Sequence, residues 1–337
     1  MQTLFVPRPD NFTPPARTPW GGRRIAALKR GLVPTPQGPI GESWEVSFAE
    51  PFESRLDDGR TLREAVGEAA GRALLVKLLD ADAPLSVQIH PPEGHRLLGP
   101  TQSGKPEAWY LVHAEPGAGL WLGLRAGVGR EDVERALRTD ADVSALLAWI
   151  PVEPGDFFVI EPGTAHAIGP GLMLVEPQRV EPGREGVTYR YWDWNRRYDE
   201  HGRPHPQGRR RELHIAQALE VTDWGAPREA ELCARVRVRA GSVDTDAPAV
   251  RQALCGPRDA PVRSEALEID RVAGSGCVHL DERPMLRAIT VLAGHVHVAL
   301  GGERTVLGAG RSAVLLGGRG APRLELERAH AIVSAAP

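Results

Sequence analysis

The chain has 337 residues, 42% hydrophobic and 25% charged, with a formal net charge of -3. That length suffices for two or three domains with cores of their own, and the composition is that of an ordinary soluble globular protein. The near-neutral balance supplies no general attraction to nucleic acid or to an acidic membrane surface.

Three widely spaced cysteines, Cys233, Cys255 and Cys277, form no CxxC pair and read as small buried hydrophobes in a reducing compartment. Met1 to Trp20 is rich in Pro and lacks the apolar core of a secretory signal. No apolar run reaches the roughly 18 residues of a membrane helix. A cytoplasmic protein with neither membrane nor nucleic acid as partner is expected.

In chain order, the first fifty residues are irregular and contain two phrases, Pro19-Trp-Gly-Gly and Ile40-Gly-Glu-Ser-Trp-Glu-Val-Ser. The second ends as a strand with Trp44, Val46 and Phe48 on one face. Thr61 to Gly71 reads as a helix, with Leu62, Val66 and Ala69–Ala70 at helical spacing. Ala73 to Leu79 and Leu85 to His90 read as strands divided by the turn Asp80 to Pro84. Glu107 to His113 and Gly119 to Leu124 read as two more. Arg130 to Leu137 and Asp140 to Trp149 read as short helices, Asp140 being the N-cap of the second. Strand patterning resumes at 150–152, at Phe157 to Ile160 and at Met173 to Pro177, and a helix is expected over Arg211 to Leu219. Cys233 to Val238 and Ser264 to Val272 look strand-like. Leu286 to Leu300, Arg304 to Leu307 and Ser312 to Leu316 give three strands with Gly turns, a weak repeat of the first half's rhythm. The pattern predicts a mostly-β protein of barrels or double-sheet jelly rolls with a helical insertion.

Three segments carry metal-ligand chemistry. Leu85-Ser-Val-Gln88-Ile-His90-Pro puts Gln88 and His90 two apart, hence on one strand face. Gly104-Lys105-Pro-Glu107 opens a further strand with a carboxylate, and Gly163-Thr-Ala-His166-Ala delivers a second imidazole from a Pro-Gly turn. Gln88, His90, Glu107 and His166 make a mixed N/O set suited to a divalent cation such as zinc. Three or four protein ligands leave positions open for water or substrate. A lone His on an apolar strand is ordinarily a hydrogen-bonded core residue; four donors on three such segments are harder to explain that way.

Other polar groups fall near these. Glu176 follows His166 in a strand and is a candidate base, the alternative being that it orients a metal ligand. Lys105 alternates onto the face of Glu107, where it donates to a developing oxyanion or moves a proton, unless it serves only a rim ion pair. Ser86 shares the face of Gln88 and His90. The basic run Arg203 to Arg211 lacks interleaved aromatics and reads as a solvated loop. No phosphate-loop or dinucleotide fingerprint occurs.

Trp20-Gly-Gly, Gly41-Glu-Ser-Trp-Glu, Lys77, the three ligand segments, Gly155-Asp-Phe-Phe and Thr188-Tyr-Arg-Tyr-Trp-Asp occur in the order found in the type I phosphomannose isomerases of the cupin superfamily. Over about residues 15–225 the chain resembles that family. The resemblance implies two cupin-like (jelly-roll) barrels. A catalytic domain would span 1–225, with a helical insertion at about 125–150 and a connecting helix at about 211–219. A cupin-like domain without a metal site would span 226–337. It also implies one zinc ion per chain at Gln88, His90, Glu107 and His166. The reaction implied is interconversion of mannose 6-phosphate and fructose 6-phosphate through a cis-enediol. Arg190 resembles the family's active-site arginine, expected at the mouth to stabilise the intermediate or hold phosphate. Lys77 and Ser86 match polar pocket residues expected to bind phosphate or hydroxyl groups. A sugar phosphate is the expected partner, and a monomer or weak dimer the expected state.

The chain also departs from the family pattern. Glu161 stands where the cupin motif has Pro, although Gly163 to His166 keeps its spacing. Gly104 replaces a His found before Lys-Pro-Glu in longer members, so proton transfer through that His does not apply. Glu181-Pro-Gly-Arg-Glu-Gly replaces the usual Ser-Asp pair ahead of Thr188. In the second half, Arg287 falls at the Glu ligand position and Ala321 at the His position. His295 and His297 follow a turn Gly and read as surface residues. A metal-dependent cupin oxygenase would use a similar two-His, one-carboxylate set. A non-catalytic sugar-phosphate-binding cupin usually joins a DNA-binding helical segment, and none stands out.

Overall fold

Several strands of the first half are mostly apolar with few polar interruptions, because one of their sheets is covered on both faces. In the computed structural model, which describes residues 2–34, 38–67 and 73–337, six strands form an antiparallel sheet. Their order is Arg237–Arg239, Asp156–Ile160, Glu107–Ala114, Leu172–Arg179, Leu74–Ala81 and Glu42–Val46. All eight residues of Leu74–Ala81 are buried, and residue parity divides them. Leu74, Val76 and Leu78 pack with Tyr110, Phe157 and Val175 against Leu286, Val314 and Ile332 of the C-terminal half. Leu79 and Ala81 instead join Trp109, Leu111, Phe158 and Leu174. This second face looks onto a five-stranded sheet, ordered Tyr189–Trp192, Val87–Ile89, His166–Ile168, Gly119–Leu124 and Leu147–Pro151, which contributes Leu120, Leu122 and Ile168. The two sheets form the first barrel. Helices Arg130–Arg138 and Ile215–Val221 cover the outer face of the five-stranded sheet through Val133, Ala136, Ala218 and Leu219.

The C-terminal half is one eight-stranded sheet built on three long strands, Glu268–His279, Leu286–Leu300 and Arg323–Ala335. Register breaks between Gly274 and Gly276 and around Ala293 bend them, so the sheet curls round Val272, Val291, Val298 and Leu326. Gly294 shows why such a bend takes glycine: its φ is +64°, and a Cβ there would lie 2.1 Å from the Arg328 carbonyl oxygen. The halves exchange strands. Leu4–Phe5 pairs with Ser312–Leu316, and Arg237–Arg239, beyond residue 225, is the outer strand of the six-stranded sheet. A buried ion pair fills the seam. Lys29 Nζ donates to Glu45 Oε1 at 2.5 Å and to Ser43 Oγ at 2.8 Å, and Ser312 Oγ donates to Glu45 Oε2 at 3.1 Å.

Several elements differ from expectation. The helix expected over Asp140–Trp149 is one 3-10 turn, Val143–Leu146, followed by strand Leu147–Pro151. Asp142 rather than Asp140 caps it, accepting from the Ser144 amide at 2.9 Å. Pairing decides the outcome: as a strand the segment lies along Gly119–Leu124 and buries Leu147 and Ile150. Cys233–Val238 is mostly helix, Glu229–Val236, because Leu232 and Val236 then reach the barrel core together. The helix expected over Thr61–Gly71 is seen as Leu62–Val66, with a Thr61/Glu64 capping box and Gly67 at φ +69° ending it. Its continuation over 68–71 lies outside the described residues. The connecting helix begins at Ile215 rather than Arg211. Residues 212 and 214 are engaged elsewhere, Glu212 accepting from the Arg190 side chain and the His214 amide donating to the Arg190 carbonyl.

The seam also holds a titratable contact. Tyr110 Oη and His330 Nε2 lie 2.9 Å apart. Burial, then the charge of Arg271, pushes the His330 imidazole down to about 4. An unfolded histidine titrates near 6.5, so between about pH 6.5 and 4 the unfolded chain binds more protons and stability falls with pH. This group alone is expected to cost about 2 kcal/mol at pH 5 relative to pH 7. Urea unfolding at the two pH values should show His330→Gln losing less stability than wild type; equal losses would clear His330 of the effect.

Candidate metal centre

On the inner barrel faces the apolar filling gives way to polar side chains at one end. Two-residue parity carries the face of Leu79 back to Lys77, that of Leu111 and Trp109 back to Glu107, and that of Leu172 and Leu174 on to Glu176 and Gln178. On the opposite sheet the same rule gives Ser86, Gln88 and His90 one face, and places His166 with Ile168. Strand register sets Gln88 against both His166 and Arg190, Glu176 against Lys77, and Gln178 against Glu107.

His90, Glu107 and His166 are buried and offer one ligand atom each, all within 4.8 Å of one another. His90 Nδ1 lies 3.0 Å from the Val187 carbonyl oxygen, and His166 Nδ1 lies 2.9 Å from that of Thr164. A carbonyl only accepts, so each Nδ1 carries the proton and each neutral ring turns a bare Nε2 inward. His90 Nε2 is 3.3 Å from Glu107 Oε2, and His166 Nε2 is 3.4 Å from Glu107 Oε1. Burial, then the Lys105 charge, lowers the His90 pKa; burial, then His90, takes His166 down to about 3. Burial acts to raise the Glu107 carboxyl, but Lys105, 3.0 Å from Oε2, and the two imidazoles hold it well below the usual range. Nitrogen lone pairs therefore face carboxylate lone pairs, and buried His90 Nε2 has no hydrogen-bond partner among the described residues. Such groups repel unless a cation lies between them, so this donor set fits a divalent metal.

A second carboxyl sits beside the trio in a different electrostatic setting. Trp109 Nε1 donates to Glu176 Oε1 at 3.1 Å while its ring meets that of His166 edge-on at 5.3 Å. Lys77 Nζ is 3.3 Å from Glu176 Oε2 and 4.6 Å from the Trp44 ring centroid. Burial, then the Glu107 charge, pushes Glu176 up to about 7, against the pull of Lys77. Burial acts to lower Lys77, but Glu176, Glu42 and Glu107 outweigh it and keep the ammonium charged. Two carboxyls in one pocket are thus driven apart, one held ionised and one able to exchange a proton near neutral pH.

Arg190 is half-buried and fixed at both ends of its guanidinium: Nε donates to Ser86 Oγ at 3.2 Å and Nη1 to the Glu212 carbonyl at 2.9 Å. The Gln88 amide also donates to Ser86 Oγ, at 3.1 Å. Among the described residues Arg190 has no carboxylate partner, and burial, then Arg211, lowers its pKa. The nine candidates from the sequence thus form three linked groups. Lys105, His90 and His166 surround Glu107, Lys77 holds Glu176, and Gln88, Ser86 and Arg190 are connected through one hydroxyl. Gln178, which donates to Glu107 Oε2 at 2.9 Å, was not among them; the parity rule applied onward from Glu176 finds it.

In the C-terminal half, Arg287 is buried and donates to the Pro284 carbonyl at 3.3 Å. His297 pairs with Glu327 at 2.8 Å and His295 is exposed. A groove of about 860 Å³ between Trp149 and helix Glu229–Val236 is lined by none of the nine site candidates.

A two-sheet barrel carrying a His-Glu-His trio on its inner face defines a cupin with a candidate metal centre. The chain is homologous to proteins named mannose-6-phosphate isomerase. It is 34% identical over 224 residues to the mannose-6-phosphate isomerase of Streptococcus mutans, a match covering 63% of this chain and 66% of that relative, just under two thirds. Its fold matches the mannose 6-phosphate isomerase of Bacillus subtilis over 99% of this chain and 100% of that one, with a TM-score of 0.74 at 23% identity. A mannose 6-phosphate isomerase structure bound with zinc and yttrium covers 100% of both chains, with a TM-score of 0.64 at 14% identity. No protein-family model matches the chain. Among the described residues no helix is long and apolar enough to cross a membrane.

Proposed function

We propose that this protein is a zinc-dependent aldose–ketose isomerase interconverting mannose 6-phosphate and fructose 6-phosphate. The observation that carries the reading is the buried trio of His90, Glu107 and His166, whose unprotonated nitrogens and carboxylate converge on one point in a homologue of such isomerases. Two imidazoles and a carboxylate are ligands that zinc takes, and a structural relative binds it. Gln88, opposite His166 in register, is the fourth ligand in this reading. A divalent ion held by these residues would supply Lewis-acid polarisation of the substrate's carbonyl and hydroxyl oxygens.

The protein's own groups supply the rest. Glu176 as carboxylate removes the proton on C2 while a C1=C2 bond forms and electrons move to the C1 carbonyl oxygen, giving an enediolate. Transfer of the C2 hydroxyl proton to the C1 oxygen, through the cis-enediol, and return of the carbon-bound proton from Glu176 to C1 give the ketose. Trp109 and Lys77 each hold one Glu176 oxygen, so the carboxylate stays aimed during both transfers. Lys105 offers its ammonium to the developing oxyanion. Arg190, held by Ser86 and Glu212, stabilises that charge or grips the phosphate, with Ser86 and Lys77 on substrate oxygens. All these residues lie within the catalytic unit 1–225, with 226–337 as a buttress. One ion per chain, a monomer or weak dimer and a cytoplasmic location complete the assignment.

The test is a coupled assay with mannose 6-phosphate, run before and after chelation. Turnover that disappears with chelator and returns with zinc is the expected result. A metal-replete protein that binds the sugar without turning it over, or that consumes oxygen instead, would overturn the reading.

A further inference from the structure

Gln178 touches the trio and has no part in the reaction described above. It is 1% exposed and lies two residues past Glu176 in strand Leu172–Arg179, its Cα opposite Glu107. Its Nε2 and the Lys105 Nζ approach the same oxygen, Glu107 Oε2, at 2.9 and 3.0 Å. One donor comes from a strand neighbour and the other from the loop before Glu107. A carboxylate with one oxygen held by two donors cannot turn about its last bond, so Oε1 keeps a fixed direction toward His166 Nε2. The other end of the amide carries a cost: buried Gln178 Oε1 has no hydrogen-bond partner among the described residues. An apolar side chain would be better tolerated by that pocket, and a stability cost kept beside a ligand is the signature of a functional constraint.

We propose that Gln178 is a positioning residue that orients the Glu107 carboxylate and thereby sets the divalent-cation affinity of the centre. This rests on the metal reading above. Gln178→Leu and the more adaptable Gln178→Met remove the donor while keeping most of the volume. The full-length chain is titrated with zinc alone against a chelating dye, with no sugar present. Both variants are expected to show a zinc Kd about 10–100-fold weaker than wild type. The urea midpoint of the metal-free protein should change little, since the lost hydrogen bond to Glu107 and the removed orphan oxygen act in opposite directions. At saturating zinc, kcat should recover to within a few-fold of wild type. Wild-type zinc affinity in either folded variant overturns the proposal. So does loss of affinity that tracks a lowered metal-free midpoint in both, which would make Gln178 a packing residue. A wild-type chain that does not bind zinc refutes the metal reading itself, a result distinct from either.

Discussion

On the proposed zinc-isomerase reading, replacing His90 with alanine is expected to abolish zinc binding and to lower isomerase turnover by at least about 1,000-fold. Metal polarisation is worth several kcal/mol, and each 1.36 kcal/mol is tenfold in rate. The reason lies in how few groups the site has. Without His90, Glu107 and one imidazole remain as the strong ligands, with the neutral Gln88 carbonyl as a weak third. Gln88, already counted in the proposed set, supplies only a neutral amide oxygen and cannot make good the lost imidazole. The fold should survive. His90 stands just past the end of strand Val87–Ile89, and the substitution leaves the Val187 carbonyl without one donor, a cost of about 1–3 kcal/mol. Metal per chain, turnover and a thermal melt on one sample separate the effects. One zinc per chain with wild-type turnover would remove His90 from the centre, and loss of turnover with zinc retained would give His90 a different role.

The site was legible where its logic is local. Gln88 and His90 share a face because they are two residues apart, as do Lys105 and Glu107, and polar residues such as Lys77 and Glu176 stand out in runs that are otherwise apolar. What parity cannot say is which runs become neighbours. The Gln178–Glu107 hydrogen bond spans 71 positions and exists only because Leu172–Arg179 lies beside Glu107–Ala114. The same holds for the two-sided burial of the six-stranded sheet. Leu74, Val76 and Leu78 look like any core strand, and nothing local reveals that they meet the C-terminal half while Leu79 and Ala81 fill the barrel. Helix and strand were exchanged at Asp140–Trp149 and at Cys233–Val238, short segments where both periods fit and tertiary pairing decides.

The second large effect is expected at Glu176. Glu176→Gln should lower kcat by about 100–10,000-fold, the range for loss of a general base, with little change in KM or zinc affinity. The amide has nearly the same shape, and its oxygen still accepts from Trp109 Nε1, so the ring packed edge-on to His166 stays in place. What disappears is the ability to take a proton. The sign of the pH dependence follows from the same assignment. A base acts as carboxylate, so its contribution is present above its pKa and falls tenfold per unit below it. Burial, then the Glu107 charge, raises that pKa toward about 7, while Lys77 draws it down and a bound cation would do the same. The acid limb of kcat/KM should therefore lie at or below about 7 in the wild type and vanish from the residual activity of the variant. Had Glu176 served only to hold Trp109 against His166, the glutamine variant would keep its rate and its acid limb. That outcome would pass the proton to Lys105, whose ammonium lies 3.0 Å from Glu107 Oε2.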